Sequence, residues 1–191
     1  SNPSNPRSLG SFDTSSATTA VHLNGTAAYI GIDNSDFSLR VLDISNPASM
    51  SSLASLDLGG KILALEVLSS VLYVGTDDAD NSLQVLNIST PSSPSKVTSL
   101  DLGGIVKDLK VEGNYLYAPR EVVDNALAVL NVSTLLSPSI VYYADIDGKG
   151  TGVDTTVDNV FISIDVNNQG LVLVKTVDVA IADTGTYISD V

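Results

Sequence analysis

Cysteine is absent from the 191-residue chain, so no disulfide, thiolate metal site or thiol chemistry is available to it. Tryptophan is absent too, which weakens any reading in which the protein stacks on sugar rings. Histidine occurs once, at His22. One histidine leaves at most one base for catalysis of the Ser-His-Asp or Cys-His kind, and a zinc site built from several histidines is excluded. Basic residues are scarce: 9 Lys and Arg stand against 22 Asp and Glu, for a formal net charge of −13. Phosphate backbones and anionic bilayers are both held by Lys and Arg, so neither nucleic acid nor an acidic membrane surface suits this chain. No apolar run reaches the ~18 residues of a spanning helix, so no membrane span is expected. No signal-peptide pattern stands at the start, and the opening SNPSNP reads as a mature or trimmed terminus.

What the sequence does hold is a repeat. LRVLDIS, LQVLNIS, LAVLNVS and LVLVKTV begin at Leu39, Leu83, Leu127 and Leu171, each 44 residues after the last. The aromatics Tyr29, Tyr73, Tyr117 and Phe161 keep the same step, and so do Asp13, Asp57, Asp101 and Asp145. Internal self-similarity at this period marks stacked supersecondary units. The chain divides into one repeat domain, 1–191, with units 1–44, 45–88, 89–132 and 133–176 and a partial fifth unit, 177–191.

Each unit reads as four short strands. In the second these are 52–58, 62–68, 71–76 and 83–88, marked by alternation, β-branched residues and turn residues at their ends. Gly59-Gly60 and Gly103-Gly104 separate first from second strands, and Asn24-Gly25 and Gly113-Asn114 suit tight hairpins. Proline after the fourth strand, at Pro47 and Pro91, is expected to end the ladder. In that strand Leu83 and Val85 point to one face and Leu86 and Ile88 to the other, so both faces are apolar. A sheet of such strands must be covered on both sides. The expected fold class is all-β: tandem four-stranded antiparallel blades, β-propeller-like, in four 44-residue repeats plus one surplus strand. Leu65, Tyr73, Leu83, Val85 and Leu86 are expected in the core.

LRVLDISNP, closed by Ser45 and Pro47, resembles the LVIVD repeat of bacterial and archaeal surface proteins. The resemblance implies propeller blades and no established catalytic role. The motif's Asp stands only at Asp43; Asn87, Asn131 and Lys175 replace it, and the last unit departs most.

The ends do not balance. A strand at 8–13 and another in GTYISDV, 185–191, both fall in phase with the first strand of a unit, one more than four blades need. The last unit also lacks a proline stop, so GLVLVKTVDVAIAD forms an unusually long strand-like run. Such a strand with unpaired edges invites another chain. Val177, Val179 and Ile181 are therefore the candidate assembly residues.

Chemical candidates are few. His22 is in phase with Glu66, Lys110 and Asp154, a polar position between apolar neighbours, and is expected on an outward strand face. The turn carboxylates Asp33, Asp36, Asp77, Asp78, Asp80, Asp145 and Asp147 are hard oxygen ligands, with Asp77, Asp78, Asp80, Asp145 and Asp147 the candidate calcium ligands. No complete calcium-loop pattern is present, and Asp in turns commonly serves the local backbone instead. DLGG lacks the following helix of a phosphate loop. The aromatic column reads as core. Asn24, Asn87 and Asn131 begin glycosylation sequons, in a number that this Ser- and Thr-rich composition gives by chance. No catalytic residue and no required cofactor is expected, calcium being the one candidate. The expected function is a non-catalytic extracellular or cell-surface structural protein that assembles with copies of itself or other surface proteins, as in a filament joined by terminal strand exchange. The alternative is a propeller-type module that binds a protein or ligand within a larger surface protein.

Overall fold

The computed structural model describes residues 4–34, 38–166 and 169–175. Among these the chain is all-β, in four antiparallel sheets. The first holds β1 (Thr18–Asn24), β2 (Ala27–Ile32), β3 (Leu39–Asp43) and β4 (Ser51–Leu56). The second holds β5 (Ile62–Leu68), β6 (Val71–Thr76), β7 (Leu83–Asn87) and β8 (Ser95–Leu100). The third holds β9 (Lys110–Glu112), β10 (Tyr115–Pro119), β11 (Leu127–Asn131) and β12 (Ser139–Ala144). The fourth holds β13 (Lys149–Thr156), β14 (Asn159–Val166) and β15 (Gln169–Lys175). Among the described residues the one helical element is a 3-10 turn, Ala79–Asn81, and no described helix is long and apolar enough to cross a membrane.

Strand positions follow the 44-residue step, but the sheets are cut at a different place from the sequence units. The strand at 51–56 was expected to open the second blade. Instead β4 pairs with β3, Leu39 opposite Leu56 and Asp43 opposite Ser51, and closes the first sheet. The reason lies in the two connections. Ser45-Asn46-Pro47 is a tight return, not a stop: Asn46 Oδ1 accepts the Ala48 amide at 3.1 Å and Asn46 O the Ser49 amide at 2.9 Å. The crossing to the next sheet comes at the double glycine, where Gly59 and Gly103 hold φ of +78° and +76°. Ser38 and Ser82 fix that crossing, their hydroxyls accepting the Leu58 and Leu102 amides at 3.1 and 3.0 Å. The strand expected at 8–13 does not form. It is in phase with β4, β8 and β12, the strands that close the first three sheets. The segment at 185–191 lies outside the described residues.

The core sits between sheets, in three clusters that repeat one design. Tyr29, Leu39 and Val41 of the first sheet meet Leu65, Leu72, Val74 and Leu86 of the second. Tyr73, Leu83 and Val85 of the second meet Leu109, Leu116, Ala118 and Leu130 of the third. Tyr117, Leu127 and Val129 of the third meet Val160 and Ile162 of the fourth, with Val153 and Val174 at the margin. The core residues expected from the sequence are all buried.

Close approach is set by one pair per junction. A Cβ on Gly31 would lie 2.8 Å from the Ile62 side chain, and one on Gly75 2.7 Å from Val106. At the third junction the bulk changes sides. Pro119 replaces the glycine and Gly150 replaces the Ile or Val, with 2.6 Å between Pro119 Cβ and a Cβ built on Gly150. Gly150→Val should therefore destabilise the protein by about 1–3 kcal/mol, the usual cost of overpacking. Pro119→Gly in the same chain should recover much of that, because it rebuilds the pairing of Gly75 with Val106; urea unfolding of both variants measures the coupling.

The aromatic column is core, as expected, in its first three members: Tyr29 and Tyr73 are fully buried and Tyr117 nearly so. Their hydroxyls differ. Tyr73 donates to the Leu135 carbonyl at 2.8 Å, whereas the Tyr29 hydroxyl has no partner among the described residues. Burial pushes the Tyr73 hydroxyl from 10.0 up to about 12. A raised folded value makes its contribution full below the unfolded value and lost as pH climbs from 10.0 towards 12. Tyr73→Phe should cost about 0.5–1.5 kcal/mol at neutral pH and flatten that alkaline loss. Tyr29→Phe should cost nothing, since Phe161 already stands in its phase; pH-dependent thermal melts separate the two.

Candidate functional site

The first strands of the four sheets lie side by side, and their polar positions link one sheet to the next. His22 Nδ1 lies 3.0 Å from the Leu65 carbonyl of the second sheet and 3.5 Å from Glu66 Oε2. Glu66 Oε1 accepts the Val111 amide of the third sheet at 3.0 Å. Lys110 Nζ meets Asp154 Oδ1 of the fourth sheet at 3.1 Å. That ion pair raises the Lys110 ammonium and holds the exposed Asp154 carboxyl below its ordinary value, each mainly through the hydrogen bond to the other. Beside this column Asp108 Oδ2 accepts the Val153 amide at 2.9 Å.

The outward position expected for His22 is therefore corrected. Its side chain is 27% exposed and that of Glu66 15%, against 78% for Asp154 on the last described sheet. Alternation along a strand tells the two faces of a sheet apart; it does not tell which face a neighbouring sheet covers.

The turn carboxylates serve backbone and neighbouring sheets. Asp13, Asp57, Asp101 and Asp145 each accept the amide two residues on, from Ser15, Gly59, Gly103 and Asp147, at 2.6–3.1 Å. Asp43, Asn87 and Asn131 do the same for Ser45, Ser89 and Ser133. That bond needs only a side-chain carbonyl oxygen, which is why Asn substitutes for Asp in the motif. Asp33 binds Lys61 Nζ at 2.9 Å, and Asp77 Oδ1 takes the Lys61 amide at 2.8 Å. Asp78 caps the 3-10 turn, accepting the Asp80 amide at 3.1 Å and Asn81 Nδ2 at 3.1 Å. Glu121 pairs with Lys107 at 3.2 Å and with Lys149 of the next sheet at 3.8 Å. Among the described residues no three His, Asp or Glu come together to hold a metal ion, so Asp77, Asp78 and Asp80 do not converge on one point, and Asp145 and Asp147 are not joined by a third such residue. Asp36 and the assembly candidates Val177, Val179 and Ile181 lie outside the described residues. Of the sequon asparagines, Asn24 is exposed and reaches the Ser69 carbonyl at 3.4 Å, and Asn87 and Asn131 are half-buried in their turns.

One residue escaped sequence reasoning. Arg120 is buried; its guanidinium donates to the Leu102 and Asn125 carbonyls and stacks 4.4 Å over the Tyr143 ring. Burial pulls it below its ordinary value. It braces the crossing at Gly103. Its phase partners Ile32, Thr76 and Ile164 are uncharged, so the repeat gave no signal beyond an isolated Arg in an apolar column.

The LVIVD repeat model matches residues 17–57, 65–101 and 103–145. This chain belongs to the LVIVD repeat family. Each match spans one sheet, in the phase that the strand pairing shows, and the fourth sheet of this LVIVD chain falls beyond the last match. Among solved structures it is similar to the computationally designed Ika4 protein: 17% identity over 89% of this chain and 98% of that one, with a TM-score of 0.69. The computationally designed Ika8 protein is 16% identical over 82% of this chain and 45% of that one, with a TM-score of 0.63. These likenesses show a propeller-like fold. No curated protein matches the chain.

The Glu66 link is open to direct test. Glu66→Ala strands the Val111 amide and should cost about 1.5–3 kcal/mol, the range for a hydrogen bond to a charged group. Glu66→Gln keeps an acceptor oxygen and should cost clearly less; denaturant unfolding of the two variants gives the comparison.

Proposed function

We propose that this LVIVD-repeat chain is a non-catalytic structural module of the cell exterior that assembles with copies of itself, in the extended form as a filament. One observation carries the reading. Apolar positions that are buried at every internal junction are exposed at the two ends of the array. Leu39, Leu83 and Leu127 are fully buried, but Leu171 in the same phase is 65% exposed. Leu65 and Leu109 are buried, but Val21 in their phase is 66% exposed. Leu23 and Leu173 flank them at 60% and 55%. Large apolar side chains left open at matching places mark interaction sites. Two unlike ends make a head-to-tail contact, which gives rings or filaments according to whether the rotation closes. The Ser- and Thr-rich acidic composition supports an exposed setting.

Each copy carries a formal charge of −13, so copies repel until salt screens them. Sedimentation velocity should show mass rising with concentration, and rising further from low to physiological ionic strength. A chain that stays monomeric throughout would end this reading and leave a module that docks on a different protein.

A further inference from the structure

We infer that two copies of the chain meet rim to rim at β12, through Ile140, Val141 and Tyr142, about a two-fold axis beside Val141. This contact lies apart from the end faces on which the head-to-tail reading rests, and it stands or fails separately.

The observation behind it is an outer strand that departs from its own repeat. β4, β8 and β12 each close a sheet and occupy the same phase. At three successive positions β4 carries Ser52, Leu53 and Ala54, and β8 carries Lys96, Val97 and Thr98. At those positions β12 carries Ile140, Val141 and Tyr142, which are 40%, 39% and 48% exposed. Among the described residues they are the one run of three consecutive large apolar side chains left open to water. The next residue shows what an interior role looks like: Tyr143 is half-buried, with the Arg120 guanidinium 4.4 Å over its ring. Its three predecessors keep much more of their surface in water, and clustered apolar exposure of this kind marks an interaction site.

The pairing of β12 with β11 sets the shape of that site. Ile140 lies opposite Leu130 and Tyr142 opposite Val129, on the two faces of the sheet. Val141 is the extra residue of a bulge between them. The apolar surface therefore wraps the rim of the third sheet instead of covering one face. β4 and β8 have the same bulge, at Leu53 and Val97. A bulge interrupts the edge of a sheet and works against a continuous ladder with another strand. The contact is accordingly made by side chains.

Charge decides what covers the rim. No Asp, Glu, Lys or Arg stands between Asp124 and Asp145, so β12 and the turn before it are neutral, whereas the chain as a whole carries −13. A basic partner would be drawn to the acidic remainder and not to a neutral rim. A second copy is repelled over most of its surface and approaches most readily where both surfaces are uncharged. It also presents the same apolar rim, which is what a self-complementary two-fold contact requires. On β8, Lys96 stands in the phase of Ile140, and lysine at a strand edge keeps other chains away. The contact is thus confined to the third sheet. Three side chains from each copy fall short of the roughly 1,200 Å² that a lasting dimer buries, so the pairing is weak and depends on concentration.

The absence of cysteine makes a clean test. Val141→Cys and Val97→Cys are made as separate full-length variants, checked for native circular dichroism and oxidised with diamide at equal concentration. Val97 occupies the same bulge and is 47% exposed, so it reports random collision. Two thiols beside a two-fold axis lie within reach of a disulfide. Val141→Cys should therefore give a disulfide dimer while Val97→Cys stays monomeric. Adding Ile140→Lys and Tyr142→Thr should abolish that dimer. These changes copy the β8 residues onto β12, and a folded strand already carries them at this phase. Adding Val21→Glu and Leu23→Glu, on the exposed face of the first sheet, should leave the dimer intact. Without any cysteine, the Val21→Glu, Leu23→Glu chain should show a monomer–dimer equilibrium in sedimentation, lost when Ile140→Lys and Tyr142→Thr are added. Equal disulfide formation at positions 97 and 141, or a dimer that survives Ile140→Lys and Tyr142→Thr, would overturn the rim contact. A dimer lost with Val21→Glu and Leu23→Glu would assign the contact to the end face and overturn it too. A wild-type chain that polymerises while Val141→Cys forms no dimer would overturn the rim contact and leave the head-to-tail reading intact.

Discussion

A sheet that is apolar on both faces has to be covered on both faces, and the rest of this structure depends on that constraint. One four-stranded unit cannot meet it alone, because folding it would leave both oily faces in water at about 25 cal/mol for each Å². Stacking meets it for every sheet that has two neighbours. The second and third sheets are in that position, and their central strands β7 and β11 are buried almost end to end. Among the described residues the first and fourth sheets have one neighbour each, and the large exposed apolar side chains Val21, Leu23, Leu171 and Leu173 belong to them. Order within the array and the exposed apolar side chains of its outer sheets have one cause.

Polar groups adjust the stack without driving it. The inner-strand column from His22 to Asp154 satisfies backbone groups and charges where sheets meet, and its members differ in every repeat. A junction needs an acceptor or a charge partner there, but not a particular residue. The same freedom shows in the turns, where Asp43, Asn87 and Asn131 perform one hydrogen bond with two residue types. The steric pairs follow a similar rule. Gly31 with Ile62, Gly75 with Val106 and Pro119 with Gly150 each set one glycine against one bulkier residue, and at the third pair the bulk moves across the junction.

Periodicity made the repeat, the strand positions and the core legible in the sequence, because burial acts on every copy in the same phase. It could not say where one sheet ends and the next begins. A 44-residue cycle can be cut anywhere, and the choice rests on whether Ser45-Asn46-Pro47 or Asp57-Leu58-Gly59-Gly60 turns the chain back. Proline in sequence signals a stop, but a turn with its own Asn46 hydrogen bonds returns the strand to the same sheet. His22 was placed outward because alternation carries no information about neighbouring sheets. The glycines at 31 and 75 were a usable signal: a 44-residue repeat of glycine inside a strand announces close approach of another element. Arg120 gave none, since one buried charge breaks the periodicity by which everything else was found. The acidic turns were legible as turns, and the local bonds of Asp57, Asp78 and Asp101 account for them residue by residue.

The central claim is that the exposed apolar faces of the first and fourth sheets are junction surfaces of the same kind as those inside the array. Amide hydrogen exchange followed by mass spectrometry, compared between dilute and concentrated solutions of the intact chain, tests this most directly. The account predicts that protection rises with concentration in residues 18–24 and 169–175, while residues 71–76 and 83–87 stay equally protected throughout. Protection at 18–24 and 169–175 that does not depend on concentration, or a concentration effect confined to the outer strands 51–56, 95–100 and 139–144, would contradict it.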